Sequence, residues 1–244
     1  MTRTMSRAAL ALAALLLASA CSDTTTPPPP PPPPDAAVRG VVTDALGRPA
    51  PGASIVLQLD SALVPGSEAD KPQQGVRFDL GTGGHVHVWV TASCGQATIR
   101  TIIDTQLPSG TYIVFWNALD DLGRQAPDGM YRLHAVWDGG ESSFEIVLLG
   151  TPYDLLTPQQ SIAAEAITDL QGAFRLETGC LPFGYTLPAY DESGLPIGQA
   201  EITRRVRVWA FRDGVVPAVS DWVTVDPEAG AVVAIGFAYK VLAM

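Results

Sequence analysis

The stretch Val38-Arg39-Gly40-Val41-Val42-Thr43-Asp44-Ala45-Leu46-Gly47-Arg48-Pro49-Ala50-Pro51-Gly52-Ala53-Ser54-Ile55-Val56-Leu57-Gln58-Leu59 decides the fold class. Val38 to Asp44 reads as a strand running into a turn through Pro49. Ser54 to Leu59 alternates, placing Ile55, Leu57 and Leu59 on one face of a second strand. Gly47 and Gly52 suit turn positions that need positive φ, and Pro49 pre-sets the exit from the first turn. Two strands alone are marginal in water, so the rest of this sheet must come from elsewhere in the chain.

The same residues, written V-x-G-x-V-x-D-x-x-G-x-P-x-x-G-A-x-I-x-L, resemble the first hairpin of carboxypeptidase regulatory-like domains, which are small transthyretin-like β-sandwiches. The second half of that pattern does not follow directly. It returns at Ala166-Ile167-Thr168-Asp169-Leu170-Gln171-Gly172-Ala173-Phe174-Arg175-Leu176, which supplies T-D-x-x-G-x-F-x-L and echoes Thr43 to Gly47 as a short internal repeat. Strands at Arg205 to Phe211, Trp222 to Val225 and Val232 to Tyr239 are expected to complete this set. The resemblance implies a non-catalytic companion domain.

Residues 75–148 carry a different pattern. Val76 to Leu80, His85 to Val90, Ala97 to Ile103, Thr111 to Trp116, Tyr131 to Trp137 and Phe144 to Leu148 all read as strands. Leu107-Pro108-Ser109-Gly110-Thr111-Tyr112, Trp116-Asn117, Asp120-Asp121-Leu122-Gly123-Arg124 and Pro127-Asp128-Gly129-Met130-Tyr131 together resemble the Ig-like domain of flagellar-hook-assembly proteins, with Ala118 where that pattern has Gly. The fold class expected is therefore all-β, with two β-sandwich domains. Residues 36–62 and 155–244 form a discontinuous transthyretin-like sandwich, and an Ig-like sandwich at 72–150 is inserted into it. Three modules in series are the rival layout. Thr157-Pro158-Gln159-Gln160 has capping-box spacing with proline at the first helical position, which predicts a short helix through Ala164.

Outward from this body, toward the start of the chain, the composition changes. Arg3 and Arg7 precede an apolar core from Ala8 to Ala18, whose length suits a signal peptide and falls short of the ~20 residues that span a bilayer. Ala18-Ser19-Ala20-Cys21 resembles the bacterial lipobox, although Leu17 stands one place earlier than the leucine of that pattern. The resemblance implies a signal peptide at 1–20, diacylglycerol on the Cys21 thiol, and, with Ser22 next, delivery to the outer membrane. An ordinary cleaved signal that leaves Cys21 as a free thiol is the alternative. Residues 21–35 then form a tether in which Pro27 to Pro34 make a semi-rigid polyproline spacer of roughly 25 Å.

The chain has 244 residues, 47% hydrophobic and 16% charged, with 23 Gly and 21 Pro, a balance that points to a well-buried β body and not to disorder. The formal charge is −10, and loss of residues 1–20 makes it two units more negative. So acidic a protein lacks the basic surface that nucleic acid requires, and membrane attachment is assigned to lipid on Cys21. Localisation is expected at the cell envelope, at the outer membrane, facing the periplasm or the cell surface. Cys94 and Cys180 remain for a disulfide in an oxidising compartment, or as two unpaired thiols.

His85 and His87 alternate outward from Val86, Val88 and Val90, and His134 points outward between Leu133 and Ala135. If their strands share a sheet, the three imidazoles with Glu145 could hold Zn²⁺ or Cu²⁺; solvent-facing strand residues are the favoured reading. Asn117, Asp120, Asp121 and Asp128 could offer oxygens to Ca²⁺, and they equally suit tight turns. Arg205, Arg207 and Trp209 line one strand face, with Arg204 and Arg212 on the other, a guanidinium–aromatic surface for a glycan or an acidic partner or a solvated face. No nucleophile elbow, zinc-protease helix, Walker loop or dinucleotide glycine loop occurs. The function expected is a non-enzymatic, lipid-anchored binding, adhesion or scaffold module with no cofactor. A metal-binding protein and a carrier holding a small ligand between sandwiches are the alternatives.

Overall fold

A computed structural model describes residues 37–60, 75–93, 97–179, 181–190 and 195–238. The expected signal peptide, Cys21, the proline tether, Cys94 and Cys180 lie outside these residues. In chain order the strands are β1 (Ala37–Thr43), β2 (Ser54–Leu59), β3 (Gly75–Leu80), β4 (Gly84–Ala92), β5 (Thr98–Leu107), β6 (Gly110–Phe115), β7 (Gly129–Trp137) and β8 (Gly140–Leu148). There follow β9 (Ala166–Ile167), β10 (Ala173–Glu177), β11 (Thr186–Tyr190), β12 (Pro196–Glu201), β13 (Arg205–Phe211), β14 (Ala218–Val219), β15 (Val223–Thr224) and β16 (Ala231–Gly236). The protein is all-β, and its strands pack as face-to-face sheets.

One core lies between a three-stranded sheet, β10-β1-β16, and a larger one, β14-β13-β2-β9, in which β15 also pairs with β13. Val38, Val42, Phe174 and Ile235 from the first sheet meet Ile55, Leu57, Val206 and Val208 from the second. Strands before residue 60 thus pair with strands after residue 165: β1 with β10 antiparallel and β16 parallel, β2 with β13 and β9 antiparallel. Gly40 makes the parallel pairing of β1 with β16 possible, because a Cβ there would stand 2.1 Å from the Val233 carbonyl oxygen. Gly47 and Gly52 hold φ of 75° and 74°, as their turns require.

A second core lies between the β3-β6 pair and the sheet β5-β4-β7-β8. Val76, Phe78 and Val114 face Val86, Val88, Val90, Leu133 and Ile146 across it. Phe78 stacks on both Tyr112 and Trp137.

The segment between β8 and β9 runs over the outer face of β2 and β13. Tyr153 and Ile162 pack there against Val56, Trp209 and Phe211 as a third, smaller apolar cluster. This cover explains why every residue of β2 is buried, including Val56 and Gln58 on the face turned away from the first core. The helix expected from Thr157 through Ala164 does not form. Gln159–Ser161 makes a single 3-10 turn with Pro158 extended before it and no side-chain cap. The Thr157 hydroxyl bonds with Asp154 instead, and Ser161 to Ala163 bridge to Gln125 through backbone hydrogen bonds, which extended backbone satisfies and a helix would forfeit.

Candidate binding surfaces

The outer face of β13 carries a ladder of cations and aromatic rings. Arg205 and Arg207 alternate onto this face, and their guanidinium carbons lie 5.5 and 4.7 Å from the Trp222 ring centroid. Arg207 also lies 5.2 Å from the Trp209 ring. Gln58 on neighbouring β2 ties the group together, its Oε1 accepting from Arg207 Nε at 2.7 Å and from Trp209 Nε1 at 2.6 Å. Arg205 donates to Asp60 Oδ2 at 2.8 Å, so its charge is matched by a carboxylate. Among the described residues Arg207 has no carboxylate in ion-pair contact. The sequence placed Arg205, Arg207 and Trp209 together correctly; Trp222, beyond a loop, and Gln58, on another strand, join them only through the fold. Arg204, on the opposite parity, lies 5.2 Å from the Phe183 ring.

The histidines sit on the outer face of the four-stranded sheet, where β4 and β7 pair directly with Trp89 opposite His134. Trp89 stacks on His87 at 4.3 Å and on His134 at 4.8 Å between ring centroids. Both imidazoles are thus engaged by an indole. His85 contacts Asp104 at 3.2 Å, and Glu145 pairs with Arg132 at 2.7 Å. His134 Nε2 lies 3.2 Å from the Thr91 hydroxyl; burial, then the Arg132 charge, lower its pKa from the ordinary histidine value. Among the described residues no group of three or more His, Cys, Asp and Glu is placed to hold a metal ion.

The acidic turn divides into separate tasks. Asp120 accepts from the backbone of Leu122 and Arg124 and pairs with the Arg124 guanidinium at 2.8 Å. Asp121 closes part of the β5 edge, accepting from Thr101 N and donating its own N–H to Ile99 O. Asn117 accepts from Arg100 at 3.1 Å. Asp128 points elsewhere, into the junction of the two cores. It accepts four hydrogen bonds, from the backbone N–H of Leu59, Gly150 and Thr151 and from the Thr151 hydroxyl. Burial pushes its carboxyl above the usual range, against the pull of those four donors.

Glu165 is the second carboxyl at this junction, and nothing in its sequence setting, Ala163-Ala164-Glu165-Ala166, marks it. The reason for its position is the short reach of β9. Strand pairing along that edge of β2 stops at Ile55, so the N–H groups of Leu57 and Leu59, two residues apart, lack a strand partner. Glu165 Oε2 accepts from Leu57 N, and Asp128 Oδ2 accepts from Leu59 N. Two carboxyls thus finish what a longer β9 would have done. Glu165 is accessible from an adjoining cleft, yet protein surrounds it closely. Burial, with the nearby Asp128 charge adding to it, pushes its carboxyl up to about 8.

Sheet-on-sheet packing, a fixed guanidinium–indole face and a carboxyl-lined junction characterise this all-β protein. No protein-family model matches the chain, and comparison with curated proteins and with solved structures gives no match either.

Proposed function

We propose that this protein is a non-enzymatic, lipid-anchored binding module of the cell envelope, and that its host sandwich presents the Arg205–Arg207–Trp222 face to a carboxylated glycan. In this reading the strands at 37–59 and 166–236 form a carboxypeptidase regulatory-like sandwich, and residues 75–148 form an inserted Ig-like module. The lipobox-like Ala18-Ser19-Ala20-Cys21 and the proline run support the anchor and spacer. Among the described residues no helix is long and apolar enough to cross a membrane.

Arg207 is the observation that carries the binding site. In a chain of formal charge −10 its guanidinium is fixed by Gln58 and two indoles and has no carboxylate of the protein's own in ion-pair contact among the described residues. A fixed, planar donor of this kind matches a carboxylate with little loss of side-chain freedom. Calorimetric titration with polygalacturonate, with dextran as the neutral control, tests it. Polygalacturonate is expected to bind, more weakly as salt rises, and Arg207→Ala is expected to weaken it about tenfold or more. Equal binding of dextran, or an Arg207→Ala protein that binds as the parent does, would overturn the site. For the anchor, Cys21→Ser protein is expected to leave the membrane fraction; membrane retention of that variant would overturn it.

A further inference from the structure

A cleft of about 380 Å³ opens where the two cores meet. Ile99 and Met130 line it from the β5-β4-β7-β8 sheet, and Leu176 and Leu181 line it from the other core. Two carboxyls line it: Asp128, which is buried, and Glu165, which the cleft leaves open to solvent. We propose that this cleft binds a small hydrophobic primary amine as its ammonium ion, with Glu165 as the carboxylate that pairs with it. This site is separate from the Arg207 face and does not depend on it.

Charge decides the class of ligand. Arg175 also lines the cleft, but Glu177 holds it in a two-point ion pair, Nε to Oε1 at 2.6 Å and Nη2 to Oε2 at 3.3 Å, so the pair adds no net charge. Asp128 is saturated by its four donors and is committed to the junction. Among the described residues Glu165 accepts one hydrogen bond, from Leu57 N to Oε2, and Oε1 has no hydrogen-bond partner. The lining is therefore apolar around one carboxyl with an open oxygen and no unpaired cation: an anion finds no partner, and an ammonium is the ligand that draws this carboxyl into its charged form. The volume lies at the small end of the range for ligand pockets and suits a compact body such as a single aromatic ring with a short amine arm.

Binding is coupled to a proton. Asp128 acts on Glu165 through charge; the neutral phenols of Tyr131 and Tyr153 stand near enough for Glu165 to push them up in turn, and Arg175 and Glu177 lie along the same cleft. With its carboxyl pushed up to about 8, Glu165 carries a proton at neutral pH. Entry of the ammonium turns the protonated acid into a carboxylate, and the released proton goes to the buffer. No other bond changes.

Titration of the intact protein with 2-phenylethylamine, against 2-phenylethanol as the neutral counterpart, tests the proposal. The amine is expected to bind one to one and about tenfold more tightly than the alcohol. Its affinity is expected to rise about tenfold from pH 6 to pH 7 and to level off above the Glu165 titration, near 8. At pH 7, calorimetry in phosphate and in Tris is expected to report close to one proton released per amine bound. Glu165→Gln keeps an acceptor for Leu57 N and is expected to bind the two compounds alike. If that variant does not fold, the pH profile and proton release of the unaltered protein still decide. Equal affinity for amine and alcohol, a flat pH profile, or no amine binding up to about 10 mM overturns the proposal.

Discussion

Ala118 holds φ of 60°, the one non-glycine residue among those described with positive φ. An L-residue pays roughly 1–2 kcal/mol for that conformation, and glycine, which is usual at this place in the pattern the turn resembles, pays less. The neighbouring Trp116 indole donates to Leu119 O at 2.7 Å and Ala126 N donates to Ala118 O, so the surrounding turn holds the strained residue in place. Ala118→Gly is expected to stabilise the protein by about 1 kcal/mol, read from the urea midpoint with an unchanged slope. Glu165 is a second residue under tension. Its carboxyl titrates near 8 in the folded protein and near 4.5 in the unfolded chain, so between those values the folded state holds a proton the unfolded chain has released. Stability contributed by this group is fully present below about pH 4.5 and is lost as pH rises through about 8. Access of solvent from the cleft screens part of the cost, which leaves about 1–2 kcal/mol of gain for Glu165→Gln at pH 8.5. That gain is expected to vanish near pH 4, as thermal melts at the two pH values can show.

At the scale of elements, the short β9 is the feature with most consequences, because it leaves the N–H groups of Leu57 and Leu59 to be met by side chains. Asp128→Ala removes the acceptor for four donors at once, three of them backbone N–H groups of Leu59, Gly150 and Thr151. A loss of about 4 kcal/mol is expected, against about 1 kcal/mol or less for Asp121, whose exposed carboxyl accepts a single backbone hydrogen bond from Thr101. Measured urea unfolding of Asp128→Ala beside Asp121→Ala separates the two. Strand alternation was readable wherever one face meets a core and the other meets water: Val86, Val88 and Val90 against His85 and His87, or Leu133 against His134. It was less readable where both faces are covered, as in β2, and it missed the β11-β12 hairpin, whose described residues are mostly exposed and therefore carry little core pattern. Asp128 read as a turn residue in Pro127-Asp128-Gly129, and Glu165 had no local mark at all. Their tasks depend on an edge N–H roughly seventy and one hundred residues away in the chain, respectively, which no local window contains. The Arg205–Arg207 face was legible because i, i+2 spacing on one strand is local information, whereas Trp222 reached it by tertiary packing.

For the molecule as a whole, the question is whether two cores behave as one. Each has its own facing sheets, and separate sandwiches joined by linkers ordinarily melt separately. Here two sets of contacts cross the junction. Asp128, at the entry to β7, fixes Leu59 at the end of β2 and the Gly150–Thr151 exit after β8, so both chain crossings are held by one carboxylate. Gln125 bonds through its backbone to Ser161 and Ala163, on the segment that carries Ile162 into the cluster with Tyr153 and Trp209. Opening either core would strand these buried donors or uncover that cluster, at a cost of several kcal/mol, which is comparable to the stability of a small domain. A single calorimetric transition is therefore expected for the intact protein, with calorimetric and van't Hoff enthalpies in agreement. Asp128→Ala is expected to divide the trace into two transitions, the lower one shifting with Ala118→Gly, which lies in the turn packed on the second core, and the other insensitive to it. Two transitions in the unaltered protein would show that the carboxylate satisfies donors without coupling the cores, and one transition in Asp128→Ala would assign the coupling to the Gln125 bridge and the apolar cover of β2.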